Sequence, residues 1–182
     1  GDQEKALVEV LQDLNGQKPM NRMLQGDVGS GKTMIAFLAM RNLAEHMNPG
    51  NQCAFMTPTE VLAQQQYASF CRFFPEMSGR TRLLTGNVTG SERRSLFQDI
   101  QDGTILYIFG THALFQEKII FHRLAFCVID EQHKFGVEHR RALLKKGNGV
   151  VPHLLLISAT PIPRSLSLTI FGDMDISILK QL

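Results

Sequence analysis

The stretch Gly26-Asp27-Val28-Gly29-Ser30-Gly31-Lys32-Thr33 fits the phosphate-binding pattern G-x-x-x-x-G-K-[ST] at every position. Residues 20–25 before it are short and apolar enough for a buried strand. Residues 34–40 after it contain neither proline nor glycine and continue as a helix. Strand, glycine-rich loop and helix form the context in which this pattern binds a nucleoside triphosphate, whereas a chance glycine loop would lack these flanks. The stretch therefore predicts a nucleotide site.

The residue types of this loop each have a physical reason. Its glycines permit a backbone in which successive N–H groups point at phosphate oxygens, beside the positive end of the following helix. Lys32 would place an ammonium group at the β- and γ-phosphates, and the Thr33 hydroxyl would be a ligand for Mg²⁺. The predicted phosphate-binding residues are Gly26, Asp27, Val28, Gly29, Ser30, Gly31, Lys32 and Thr33.

The composition limits the class of protein. A chain of 182 residues with 43% hydrophobic content has the size of one ordinary domain and can bury a core, and its net charge of +2 does not by itself predict a nucleic-acid partner. Cys53, Cys71 and Cys127 lie far apart and form no C-x-x-C pair, which favours reduced thiols in a cytoplasmic protein. No apolar run approaches the ~20 residues of a membrane span, and no signal-peptide pattern opens the chain.

Apolar strands and helices alternate along the chain. Strands are predicted at residues 20–25, 52–57, 80–85, 104–109, 124–129, 153–157 and 175–179. Helices are predicted at residues 3–14, 32–47, 60–74, 91–101 and 138–146, with short helical segments at 113–115 and after Pro163. Thr59 and Ser91 are the expected N-caps of two of these helices. The alternation predicts an α/β fold with a doubly wound, mostly parallel sheet flanked by helices, in which ligands bind at the carboxyl ends of the strands.

Two acidic residues, Asp130 and Glu131, follow the most apolar predicted strand. Asp130 can hold Mg²⁺, directly or through water, and Glu131 can polarise the water that attacks the γ-phosphorus. A turn also favours such residues, so the pair alone would be weak evidence. Because a phosphate-binding loop lies upstream, a metal ligand beside a general base is the preferred interpretation.

Several strings of the sequence resemble superfamily 2 helicases. Residues 130–133 (DEQH) look like the second conserved box of these motors, residues 158–160 (SAT) like the third, and residues 57–60 (TPTE) like the motif that contacts the nucleic-acid backbone. The longer strings narrow the resemblance to the RecG family of ATP-dependent DNA helicases, over essentially the whole chain. These strings are GDVGSGKT at 26–33, GTHALF at 110–115, DEQHKFGV at 130–137 and SATPIPRS at 158–165.

Two related families fit less well. Transcription-repair coupling factors share the GDVG loop and the ATPIPR segment, but their acidic box usually reads Asp-Glu-Glu-Gln. The primosomal helicase has Asp-Glu-Glu-His and lacks the continuation found here at residues 134–137 (KFGV). The RecG family more often has arginine at the position of Lys134. Lysine keeps the positive charge but lacks the planar guanidinium that makes a bidentate contact.

The resemblance implies roles for individual residues. Lys32, Asp130 and Glu131 would be catalytic, with Mg²⁺ held by Thr33 and Asp130. Gln3 would contact the adenine edge of ATP. The alternative is that Gln3 is an exposed polar residue near the chain terminus, without a role in binding. The residues expected to couple the γ-phosphate to DNA are His133, Ser158 and Thr160. The residues expected to face the nucleic-acid backbone are Pro58, Thr59, Gly86, Thr111 and His112.

The resemblance also implies an organisation and a function. Residues 1–182 would form a single RecA-like P-loop NTPase domain, the first motor lobe, with the second lobe and the wedge domain absent from this sequence. The expected activity is ATP-dependent remodelling of branched DNA, such as forks and Holliday junctions, in repair and recombination. We expect ATP and Mg²⁺ as cofactors, no membrane association and a monomeric parent protein. The domain alone should be almost inactive, because a missing arginine finger can cost ~10³–10⁵ in rate.

Other functions stay open at this point. The chain could be the motor of a translocase like the transcription-repair coupling factor, or a nucleotide-dependent switch that moves no DNA. A small-molecule kinase is a third possibility, but it should carry a lid and an acceptor pocket, and neither is evident in the sequence. A pure switch has no need for the polar strand-end motifs at residues 57–59, 110–112 and 158–160, so these motifs favour the DNA motor.

Overall fold

A single parallel sheet forms the centre of the computed structural model, which describes residues 1–116, 118–130 and 137–180. Its strands, within the described part, are β1 (Asn21–Gly26), β2 (Gln52–Met56), β3 (Thr81–Leu84), β4 (Tyr107–Gly110), β5 (Leu124–Asp130), β6 (His153–Ser158) and β7 (Asp175–Leu179). They are ordered β3-β4-β2-β5-β6-β1-β7, and each neighbouring pair is parallel. The predicted mostly parallel α/β fold is confirmed.

Helices connect the strands and cover both faces of the sheet. They are α1 (Asp2–Asn15), α2 (Lys32–Asn42), α3 (Glu60–Phe73), α4 (Gly90–Asp102), α5 (Val137–Lys146) and α6 (Arg164–Phe171). A π-helical turn, Leu43–Met47, extends α2, and 3₁₀ turns lie at Pro75–Arg80 and His112–Phe115. None of the helices in the described part of the chain is long and apolar enough to cross a bilayer.

The core is divided between the two faces because successive residues of each strand point to opposite sides. In β5, Phe126 and Val128 pack with α1, α2 and α3 on one face. Cys127 and Ile129 pack on the other face with residues of α4 and α5. The central strand β5 is therefore apolar on both faces as far as Ile129, which is typical of a parallel sheet that is covered on both sides.

Three local expectations differ from the structure. The helix that begins at Lys32 changes to a π-helical turn after Asn42. The strand predicted from residue 104 begins later, because the N–H groups of Thr104 and Ile105 donate to the Asp99 carbonyl at 3.1 and 3.3 Å instead of joining the ladder. The predicted cap Ser91 is wrong: Thr89 occupies the N-cap position of α4, without a side-chain hydrogen bond. The expected cap Thr59 is confirmed, since its hydroxyl accepts from the Leu62 N–H.

His153, at the start of β6, gives the fold a pH-dependent contact. Its Nδ1 accepts a hydrogen bond from the Met20 N–H at 2.9 Å, which requires that nitrogen to be unprotonated. Burial lowers the pKa of His153 below its ordinary value of 6.5, against the opposing effect of the Asp13 carboxylate. The pKa of His153 is thus lower in the folded than in the unfolded state. Its contribution to the free energy of unfolding is therefore complete above about pH 6.5 and is lost as the pH falls below that value.

We expect the unfolding temperature to fall between about pH 7.5 and pH 5.5, and to fall less in His153→Gln. His153→Leu, which has no acceptor, should in addition lower the stability at neutral pH by about 1–3 kcal/mol, because the Met20 N–H is then left unsatisfied. Thermal melts across this range measure both effects, with the exposed His122→Gln as the matched control. Parallel loss of stability in the parent protein and in His153→Gln would contradict the assignment.

Candidate nucleotide site and nucleic-acid-facing edge

The phosphate-binding loop lies between the end of β1 and the start of α2. Gly29 and Gly31 have φ angles of 85° and 92°, the left-handed region that side chains with a Cβ rarely adopt. Gly26 is required for a different reason: a Cβ there would lie 2.5 Å from the Leu179 carbonyl oxygen and 2.9 Å from the Ser30 Oγ. The predicted strand, loop and helix are therefore present, and the loop backbone passes tightly against β7.

Lys32 is held over this loop and is only 7% exposed. Its Nζ donates to the carbonyl oxygens of Gly26 at 2.5 Å and Asp27 at 2.6 Å, and to the Ser30 Oγ at 3.2 Å. The charge is thus placed among the loop atoms where the sequence predicts phosphates to bind. An anionic oxygen entering the loop would compete with these carbonyls for the same ammonium donors.

A cavity of about 320 Å³ opens beside the loop. The order of the strands makes β5, β6 and β1 neighbours, so that their carboxyl ends meet around this cavity. Its lining residues are Val28, Gly29, Gly31, Lys32, Thr33, Asp130, Ile157 and Ala159. Thr33 and Asp130 bring a hydroxyl and a carboxylate to one space, and oxygen donors of this kind, with phosphate oxygens, suit Mg²⁺. The structure thereby brings together residues that lie about a hundred positions apart in the sequence.

Gln3 reaches the same loop from the first turn of α1. Its Nε2 donates to the Ser30 carbonyl oxygen at 3.0 Å, and a Cβ at Gly31 would lie 3.1 Å from that nitrogen. Gln3 is exposed, as the alternative expects, but its amide also makes this specific contact with the loop. Its predicted role at the adenine edge stays a prediction.

The predicted coupling residues Ser158 and Thr160 contact each other at the end of β6. Ser158 is buried, its Oγ lies 3.1 Å from the Thr160 Oγ1, and it also accepts from the Thr160 N–H at 3.2 Å. Ser158 pairs in register with Gln25, directly before the phosphate-binding loop. The role of this hydroxyl pair in coupling stays a prediction. Glu131 and His133, the predicted base and third coupling residue, lie outside the described residues.

The predicted nucleic-acid contacts follow β2, β3 and β4, which are neighbours in the other half of the sheet. Thr59 and Gly86 are exposed there, and Pro58 is half-buried. The Thr57 hydroxyl donates to the Thr59 carbonyl at 2.8 Å and shapes the turn into α3. The structure thus places the ends of β2 and β3 on one surface, on either side of β4.

Thr111 and His112 extend this surface at the end of β4. The Thr111 Oγ1 accepts from the Ala113 N–H at 3.5 Å and caps the short 3₁₀ turn. The exposed His112 ring lies 6.3 Å from the ring of His139 on α5. All the predicted backbone-facing residues therefore lie at the carboxyl edge of the sheet, and contact with nucleic acid stays a prediction.

The contact of Glu60 with the loop after β3 is a feature of this surface that the sequence reasoning missed. Its carboxylate accepts a hydrogen bond from the Gly86 N–H at 2.5 Å and so ties the loop after β3 to the first turn of α3. A Cβ at Gly86 would lie 3.0 Å from the same Glu60 oxygen. Spacing gives no signal for this contact, because the two residues are 26 positions apart.

Residues 1–169 match the family model described as DEAD/DEAH box helicase. The chain belongs to the DEAD/DEAH box helicase family. In this helicase domain the phosphate-binding loop and Asp130, the first residue of the predicted second box, line one cavity. The hydroxyl pair Ser158 and Thr160 forms the predicted third box.

Individual relatives show which helicases this domain resembles. The chain is 48% identical to the ATP-dependent DNA helicase RecG of Aquifex aeolicus, over 99% of this chain and 22% of that protein. It is 48% identical to the RecG of Borreliella burgdorferi, over 100% of this chain and 26% of that protein. A solved structure of RecG bound to a three-way DNA junction superimposes with a TM-score of 0.80 at 39% identity, over 100% of this chain and 23% of that chain.

These matches confirm the predicted resemblance to RecG. They also show that the chain spans only about a quarter of the length of these relatives. The part that it spans is the helicase domain with the nucleotide cavity and the polar strand ends. The roles of individual site residues stay predictions.

Proposed function

We propose that this chain is the ATP-binding motor domain of a RecG-like DNA helicase. It couples ATP hydrolysis to the remodelling of branched DNA, through fork reversal and junction migration in repair and recombination. The observation that carries the proposal is the division of one sheet edge into two adjoining halves. The ends of β5, β6 and β1 carry the nucleotide cavity, and the ends of β3, β4 and β2 carry the polar loops. The relatives named RecG, one of them bound to a three-way DNA junction, support branched DNA as the substrate.

The residues around the cavity fit ATP with Mg²⁺. The loop N–H groups and Lys32 bind and orient the β- and γ-phosphates, and Thr33 and Asp130 hold the metal. Bound Mg²⁺ would neutralise phosphate charge during transfer. Glu131, proposed from the sequence alone, accepts a proton from the attacking water.

We also propose that a second RecA-like domain of the full-length protein completes the site. The described cavity contains one cation, Lys32, among its lining side chains. Motors of this class need further arginines on the triphosphate, and such an arginine can contribute ~10³–10⁵ in rate. The 182-residue chain alone should therefore hydrolyse ATP very slowly.

The test is the steady-state ATPase activity of the full-length protein without DNA, with linear duplex and with a forked duplex of equal length. We expect the forked duplex to stimulate hydrolysis at least about tenfold more than the linear duplex at limiting concentration, since each tenfold preference needs only about 1.4 kcal/mol. Lys32→Ala is the control that shows the activity to be that of this site.

The other outcomes separate the alternatives. Equal stimulation by linear and forked duplex would replace the fork-remodelling motor with a translocase like the transcription-repair coupling factor. ATP binding that is indifferent to any DNA would leave a nucleotide-dependent switch.

A further inference from the structure

A polar cluster holds helix α1 against the sheet, and its centre is Arg22 on β1. The Arg22 guanidinium donates to the Asp13 carboxylate through Nε at 2.8 Å, with a second contact at 3.4 Å. It also contacts Glu9 at 3.4 Å and the Ser177 Oγ of β7 at 2.9 Å. Ser177 in turn donates to the Glu9 carboxylate at 2.5 Å. We call Arg22, Glu9, Asp13 and Ser177 the Arg22 cluster.

The centre of this cluster is largely buried and its carboxylates are partly buried, unlike those of an ordinary surface ion pair. The Arg22 side chain is 11% exposed, and those of Asp13 and Glu9 are 24% and 30% exposed. A fork-shaped guanidinium that meets a carboxylate through two N–H groups fixes orientation as well as distance. The cluster therefore determines how α1 lies along β1 and β7.

The same helix carries Gln3, whose amide contacts the phosphate-binding loop at Ser30. Gln3 lies six residues before Glu9, which is about 9 Å along the helix axis. Arg22 lies only four residues before Gly26, where the loop begins. The helix and the strand are thus joined at two levels, by the Arg22 cluster and by the contact of Gln3 with the loop.

The apolar contacts of α1 constrain this geometry less sharply than its polar contacts do. Ala6, Val10 and Leu14 are buried on its inner face, but burial of apolar surface is non-directional and tolerates small sliding or rotation. A shift of one ångström would stretch the 3.0 Å bond from Gln3 to Ser30 beyond hydrogen-bonding distance. Directional contacts from Arg22 prevent such a shift.

We infer that Arg22 is a positioning residue for nucleotide binding: it acts through α1 to keep Gln3 on the phosphate-binding loop. The inference deepens the proposed function and rests on the proposed binding of ATP. It assigns Arg22 no contact with the nucleotide. Its effect on affinity is exerted through Gln3, and this distinguishes it from a general contribution to stability.

The test is a double-mutant cycle in the full-length protein, read out as the Kd for a fluorescent ATP analogue with Mg²⁺. We expect Arg22→Gln and Gln3→Ala each to weaken binding about three- to tenfold, the effect of losing one hydrogen bond. The double variant should bind about as weakly as Gln3→Ala alone, because residues that act through one contact are not additive. Arg80→Gln, which breaks the ion pair with Glu45 at 2.9 Å on another part of the fold, is the matched control and should keep the Kd unchanged.

Ser177→Ala is a milder second variant that removes the two contacts of the Ser177 hydroxyl, with Arg22 and with Glu9, and keeps the charges. It should weaken binding two- to threefold (about half of one hydrogen bond) and lose this effect in the Gln3→Ala background. An unchanged Kd in both Arg22→Gln and Ser177→Ala, or additive effects with Gln3→Ala, would overturn the role of Arg22. Failure of the unsubstituted protein to bind the analogue would instead overturn the proposed function itself.

Discussion

Replacing Lys32 by alanine is expected to reduce ATP hydrolysis by the full-length protein about 10²–10³-fold, the usual cost of losing one positioned donor to developing charge. Lys32 is the cation among the side chains that line the described cavity. Its contacts with the loop carbonyls of Gly26 and Asp27 hold its charge at the predicted phosphate site. Steady-state ATPase with saturating forked DNA measures the loss.

The substitution should also loosen the loop itself, because the Nζ joins Gly26, Asp27 and the Ser30 hydroxyl. The Kd for ATP should therefore rise as well as the rate fall. The matched control is Lys18→Ala, an exposed lysine on the segment before β1, which should retain full activity. Residual hydrolysis within a factor of about three of the parent protein would show that another site or another protein supplies the activity.

Much of the architecture could be predicted because apolar residues recur at different intervals in strands and in helices. Buried parallel strands are in addition apolar on both faces. Residues 124–129 are apolar throughout, and the structure makes them the central part of β5. The phosphate-binding loop was predictable for a second reason: its chemistry requires glycines, a lysine and a hydroxyl at fixed spacing. In this loop each functional residue is close in sequence to the others, so that spacing alone identifies the site.

Contacts between distant segments could not be predicted in the same way. Arg22 meets Ser177 across 155 positions, and the Gly86 N–H meets Glu60 across 26. No pattern in the local sequence predicts either contact, since the strand order that brings these residues together is a property of the whole sheet. The cap at Thr89 was missed for a smaller reason: Thr89 and Ser91 are both suitable N-cap residues, and only the backbone shows which one precedes the helix.

An aromatic cluster on one face of the sheet supports the helix that follows the phosphate-binding loop. Phe37 of α2 is 1% exposed. Its ring centre lies 5.2 Å from that of Phe70 on α3, 5.8 Å from Phe55 on β2 and 6.1 Å from Phe109 on β4. These edge-to-face contacts join the helix, its neighbour and the sheet, so Phe37 is a central residue of this core.

Phe37→Ala is therefore expected to lower the free energy of unfolding by about 3–5 kcal/mol, through lost burial and the cavity that remains. For a domain of this size such a loss corresponds to roughly 10 °C in unfolding temperature. Urea denaturation of the 182-residue chain measures it. Phe73→Ala is the matched control, because Phe73 is 49% exposed and its removal should cost less than about 0.5 kcal/mol. Equal losses in the two variants would contradict the packing described for α2, because only a ring enclosed by α3, β2 and β4 leaves a cavity when it is removed.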